Sequence, residues 1–203
     1  FRHHTKDWLE TNINLSYVTR SPEVNELHSA GLHQGVSGIE EGSPDLNSEK
    51  SLKAVASTDW TVKEKLFIQA VGYYHLVNDF IFLEPQPELR LTIRGAFPVF
   101  KYKQTHANIY GLDLLVSYEP VERYRLVAKY AYLRGHDRSN NIPLINMPSN
   151  NLSLSLNMSL PEGQKQQNST AGIKGAYIFK QKNLLPEQDF VDAPDGYFLL
   201  SIY

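Results

Sequence analysis

Asn151-Leu152-Ser153-Leu154-Ser155-Leu156-Asn157-Met158-Ser159-Leu160 alternates strictly between small polar and aliphatic side chains. In an extended strand, neighbouring side chains point to opposite sides, so Leu152, Leu154, Leu156, Met158 and Leu160 share one face. Asn151, Ser153, Ser155, Asn157 and Ser159 share the other. A helix would scatter those leucines around its circumference, so the period of two predicts a strand. At ~3.3 Å per residue the stretch is long enough for a tilted strand to cross a bilayer. Its apolar face carries no charge, and its polar face suits the wall of a wide, wet lumen. One strand of a soluble sandwich with one wetted face would read the same way, so the neighbours decide.

Working outward, the same pattern recurs. Before this stretch, Tyr124 to Arg134 places Tyr124, Leu126, Ala128, Tyr130 and Tyr132 on one face, with tyrosines at both ends of an aliphatic middle, as interfacial girdles require. Earlier strands are predicted over Trp8–Arg20, Leu52–Val62, from Leu66 onward, and over Lys101–Glu119. Later ones are predicted over Asn168–Lys180 and Tyr197–Tyr203. Between them lie tight connections at Lys63-Glu64-Lys65, Pro120–Arg123 and Pro161–Gln164. These alternate with long ones at Ser21–Lys50, Asn78–Phe100, Gly135–Ser149 and Asn183–Asp195.

In the first long connection, Ser21-Pro22-Glu23 reads as an N-cap, a proline at the first helical position and an acidic first turn, predicting a short helix through Leu27. In the second, Leu89–Ile93 reads as a small separate hairpin, and Phe1–His4 reads as the lead-in to the first strand. Short turns at one end and long loops at the other are the pattern of an outer-membrane barrel, whereas a sandwich has no reason to keep its long loops on one side. The predicted fold class is therefore all-β: an antiparallel transmembrane β-barrel, with about eight strands in this stretch.

The bulk numbers agree. The chain has 203 residues, 41% of them hydrophobic, a net charge of −2 and no cysteine. That balance argues against nucleic acid as a partner. Without cysteine there are no disulfides, thiolate metal sites or cysteine nucleophiles. No nucleophile elbow, phosphate-binding glycine loop or HExxH occurs, so no catalytic residues and no cofactor are assigned. A hydrolase on a barrel wall is the weakest of the functional readings.

The first long connection then carries a resemblance. Arg20-Ser21-Pro22, Asn25-Glu26-Leu27, Gly31–Gly35, Glu40, Gly42-Ser43-Pro44-Asp45-Leu46 and Glu49 resemble a signature of TonB-dependent outer-membrane receptors, with Ser43 and Ser48 replacing an Asn and a Pro. Gly95–Phe100 with Tyr102, Gln104 and Gly111 resembles a later outer strand pair of the same family. The resemblance implies a 22-stranded barrel filled by an amino-terminal plug, in the outer membrane of a Gram-negative bacterium. It also implies uptake of a scarce metal chelate, most simply a ferric siderophore, driven by the TonB complex through the plug. On this reading residues 1–203 are the carboxy-terminal part of the barrel domain, without plug or last strands, and their partners are outer-membrane lipid, the plug, the TonB complex through that plug, and the chelate. A complete eight-stranded barrel with a structural or adhesive role is the alternative.

Candidate ligand contacts are His28, His33 and Glu26 in the first long connection, and Arg90, Arg94 and Arg134 near loop ends. Imidazole and carboxylate together suit zinc or iron, which makes His28 and His33 a candidate metal pair beside the ordinary reading of solvated loop histidines. Arginines sharing the outer face would attract an anionic chelate.

Overall fold

The alternation is realised as one meandering antiparallel sheet. The computed structural model describes residues 2–6, 8–33, 35, 37–160, 169–184 and 192–203. In chain order the elements are β1 (Arg2–Lys6), β2 (Leu9–Arg20), α1 (Val24–His28), β3 (Ala30–His33), β4 (Gly38–Glu41), β5 (Glu49–Val62) and β6 (Leu66–Thr92). They continue as β7 (Gly95–Val121), β8 (Tyr124–Asp137), β9 (Ile142–Pro143), β10 (Asn151–Ser159), β11 (Thr170–Ile178) and β12 (Tyr197–Ile202). The sheet runs β1-β2-β5-β6-β7-β8-β10-β11-β12, so its main path follows the chain and ends open at β1 and β12.

The register puts all the predicted apolar rows on one side. Leu15 lies opposite Ala54, Ala54 opposite Tyr74, and Tyr74 opposite Tyr110. Leu156 lies between Leu126 and Ile173, and Leu154 between Ala128 and Gly175. Leu15 is 71% exposed and Leu154 59%. An apolar face that exposed, shared by successive strands, has the form of the outward band of a transmembrane barrel. On the other side Asn12, Ser57, Val71 and Asp113 line up, and Ser155 lies between Val127 and Lys174. Tyr118 and Tyr124 sit at the short-turn end of the apolar face, and Tyr17, Tyr74 and Tyr110 toward the long-loop end.

Three expectations are corrected. The lead-in at the amino terminus is itself a strand, β1, paired with β2. The 78–100 stretch is not a loop with a small hairpin inside it. β6 and β7 are 27 residues each and joined only through Ile93-Arg94. Above Asn78, β6 pairs with β7 alone, and its further 14 residues project about 45 Å past the neighbouring strands. Register shifts at Val77/Phe80 and Pro85/Leu89 absorb Asp79, whose φ is +59°, and Pro87, which has no N–H for the ladder. Finally, the helix starts at Val24 with Glu23 as N-cap, two residues later than predicted. The Glu26 carboxylate accepts the Glu23 N–H at 2.7 Å and so closes the first turn from there. The turn predicted at Pro161–Gln164 lies outside the described residues.

A single open sheet with no second layer packed on it builds no core along most of its length. The buried apolar side chains among the described residues, Ile39, Val77, Ile81, Val99, Ala107 and Leu144, all lie at the long-loop end. There the connections pack on the projecting β6–β7 hairpin.

Candidate functional site

The long-loop end is where charge, aromatic surface and cavities converge, and its geometry begins at Arg20, the last residue of β2. Its guanidinium donates to both carboxylate oxygens of Glu26, at 2.9 and 3.1 Å, and to Glu49 at 2.7 Å. The other Glu49 oxygen accepts the Ile81 N–H at 2.6 Å. One arginine thus ties the start of the first long connection to its end and to β6. The residues that carry the family resemblance form a latch.

From this latch the connection reaches past β5 and β6. β4 adds itself in parallel to the free edge of β7, Ile39 beside Val99 and Glu41 beside Lys101. Gly38 permits the approach, because a Cβ there would lie 2.6 Å from the Phe100 ring. Glu40 is buried, receiving His33 Nδ1 at 2.8 Å and the Tyr102 hydroxyl at 3.4 Å, while Asn25 donates to that hydroxyl. Burial, with the Glu40 charge beside it, pushes the Tyr102 phenol above its ordinary range. Glu41 accepts Arg90 and meets Lys101 Nζ at 3.4 Å. The Arg90 hydrogen bond outweighs partial burial and holds the Glu41 carboxyl below the ordinary range. Lys103 pairs with Glu84.

The connection after β8 packs on the opposite face of the hairpin. Leu144 and Met147 close over Val77, Ala107, Phe80 and Ile109. Asp137 anchors this loop, accepting the Thr105 hydroxyl at 2.5 Å, the Ser139 and Asn140 N–H groups at 2.8 and 3.1 Å, and the Asn140 amide at 2.8 Å. Burial works against its charge, but those donors win and keep the carboxyl below the ordinary range.

The predicted contacts therefore separate. Glu26 is buried in the latch, and His33 is drawn to Glu40. His28 is exposed at the end of α1. Arg90 joins Glu41, and Arg94 sits at the hairpin tip beside the fully exposed Ile93. Arg134 lies opposite Tyr110 on the lipid-side face, apart from Arg90 and Arg94. Among the described residues, no group of three or more His, Asp or Glu side chains converges as a metal site. Sequence reading passed over Lys101, Lys103 and Asp137. The predicted strand over Lys101–Glu119 already contained Lys101, Lys103 and Thr105, and parity aligns them on one face, but the alternation is legible only in its lower half. Lower in the wall, Arg125, Lys129 and Lys174 line a polar recess of about 630 Å³ with Ser153, Ser155 and Asn157.

A family model described as TonB dependent receptor-like, beta-barrel, matches residues 3–203. The chain belongs to that family. Among solved structures, a copper transporter, OprC, superposes with a TM-score of 0.77 at 22% identity, covering 99% of this chain and 29% of that one. The siderophore receptor PirA from Acinetobacter baumannii gives 0.67 at 10% identity, covering 99% and 33%. A ferric enterobactin receptor, PfeA, from Pseudomonas aeruginosa gives 0.68 at 13% identity, covering 99% and 31%. The chain spans about a third of these receptors' length and is a wall segment of a TonB-dependent receptor barrel. Its open edges at β1 and β12 suit a segment of a larger barrel, since only closure removes sheet edges from lipid.

Proposed function

We propose that this segment belongs to an outer-membrane receptor that imports a scarce nutrient chelate, a ferric siderophore, in a TonB-dependent manner. The supporting observation is the wall itself: a lipid-side apolar face, a polar inner face, and outer connections knitted over one end of a sheet that matches the receptor barrel family from residue 3 to 203. Arg90, Lys101 and Lys103 outnumber their partners Glu41 and Glu84 on one face of the projecting hairpin, and that excess of positive charge attracts an anionic chelate before it reaches the lumen. In this reading the segment does no bond chemistry. The outer connections capture, the polar recess contacts the plug, and the TonB complex acts through that plug. His28 and Arg94 are the proposed ligand contacts among the predicted residues, because Glu26, His33 and Arg90 already hold the connection in place.

A copper ion is the second reading, favoured by the higher identity and TM-score to the copper transporter than to the two siderophore receptors. Growth of a strain lacking the whole receptor, on ferric siderophores under iron limitation and separately under copper limitation, tests both. Loss of growth on a ferric siderophore, restored by the intact gene, is expected. Unimpaired growth there, with a defect under copper limitation, overturns the siderophore reading.

A further inference from the structure

Arg134 stands off the lumen face and apart from Arg90 and Arg94 of the projecting hairpin. It lies directly opposite Tyr110 and two residues from Tyr132, on the face that carries Leu112, Leu114 and Leu126. That is the lipid side. Counting from Tyr124 at the short-turn end, Arg134 is ten residues along β8. Ten residues of strand at about 3.3 Å each, tilted by roughly 40°, rise about 25 Å, the height of the apolar band of an outer-membrane barrel. Arg134 therefore stands at the level where headgroups replace acyl chains.

Its side chain is also held still. The guanidinium carbon sits 4.5 Å from the centroid of the Tyr132 ring, a cation–π arrangement. Nη1 donates to the Leu133 carbonyl at 2.6 Å and to Asn150 Oδ1 at 2.7 Å. The Asn150 amide in turn donates to the Tyr130 hydroxyl at 3.2 Å. Only Nη1 is used in these bonds. Nε and Nη2 keep their donors for an outside acceptor, and no carboxylate pairs with Arg134 among the described residues. A charge left unpaired at a lipid boundary is costly unless an anion of the membrane meets it.

The geometry points to Arg134 as a docking point for the phosphate headgroup of an outer-leaflet lipid, with Tyr132 and Asn150 as the residues that position it. A planar guanidinium with parallel N–H groups matches phosphate oxygens. The ring beneath it occupies the interfacial level that aromatic side chains favour. The inference rests on the outer-membrane reading above.

The test uses the whole receptor, purified in detergent and titrated with diphosphorylated lipid A. Parallel arms use the same lipid with its phosphates removed, and lipid A together with millimolar inorganic phosphate. Retained lipid is counted by native mass spectrometry. The receptor retains the phosphorylated lipid over the dephosphorylated one, and Arg134→Gln lowers that retention by about fivefold, the effect of one cation at an anionic headgroup surface. Arg134→Lys keeps part of it. Arg123→Gln, at the opposite end of the wall, leaves it unchanged. Heat-modifiable mobility on gels confirms that each variant is a closed barrel. Equal retention by wild type and Arg134→Gln overturns the inference, as does an equal loss from Arg123→Gln. Displacement of the lipid by inorganic phosphate also overturns it, in favour of a soluble anion. Uptake is measured in the same variants: unchanged lipid retention with lost uptake assigns Arg134 to the ligand instead. Membrane fractionation of the wild type tests the outer-membrane reading by itself.

Discussion

Arg20→Ala should loosen the first long connection while leaving the wall intact. Arg20 links Glu26 and Glu49 with three hydrogen bonds between 2.7 and 3.1 Å. The glutamate side chains are only 12 and 13% exposed, against 38% for the arginine. Removing one partner of a buried pair costs about 3–5 kcal/mol, because the remaining charges lose their counter-ion in a poorly solvated place. Two facts pull the figure down. Arg20 is partly solvated, and each carboxylate keeps one backbone donor, from Glu23 and Ile81. About 2–3 kcal/mol remains. If that loss falls on local opening, amides of α1, β3 and β4 should exchange roughly 30- to 150-fold faster in the whole receptor, at about 1.4 kcal/mol per factor of ten. Amides of β10 and β11 should not change. Arg20→Met combined with Glu26→Gln and Glu49→Gln should recover part of the protection, since no charge is then stranded. Exchange in the connection raised less than threefold, or raised equally in β10 and β11, would refute the latch.

Other outcomes follow from single placements. Asp137→Ala strands the Thr105 hydroxyl and two backbone N–H groups, and should open the 138–147 connection by about 2–3 kcal/mol, read as faster proteolysis there. Because its folded carboxyl is held below the ordinary range, Asp137 stabilises this connection above the ordinary carboxylate pKa. That stability is lost as pH falls through the depressed folded value, so exchange in 138–147 should rise only in acid. Gly135→Ala would bring a Cβ to 2.9 Å from Leu144 and 2.6 Å from Met147 Sδ; about 1–3 kcal/mol of overpacking should displace the same connection, visible as new cleavage near Leu144. Leu154→Lys, on the lipid-side face, should cost about 2–4 kcal/mol and reduce assembled receptor, whereas Asn14→Lys on the inner face should assemble normally; equal yields would put lipid on the wrong side of the sheet.

What could be read in advance divides at the membrane boundary. Within the bilayer, a residue's environment depends on its parity alone, so Leu152–Leu160 or Tyr124–Tyr132 declare their faces without knowledge of any neighbour. Above it, that rule lapses. The upper halves of β6 and β7 have protein or water on both sides, and Phe80, Phe82, Pro85, Pro87 and Pro98 follow no period that separates a strand from a loop. Their strand character comes from pairing with each other, a contact visible only in three dimensions. The same division explains the candidate residues. Glu26, His33 and Arg90 were identifiable as polar loop side chains, but Glu26 meets Arg20, His33 meets Glu40 and Arg90 meets Glu41 through contacts 6, 7 and 49 residues apart. Arg134 is the instructive exception. Its parity with Tyr130 and Tyr132 already placed it on the apolar face of β8, yet an arginine beside a loop is more readily assigned to the loop's ligand than to that face. For a barrel wall, then, the face of a charged residue should be fixed before its chemistry is considered, because the two faces offer it different partners: solute and plug inside, lipid outside.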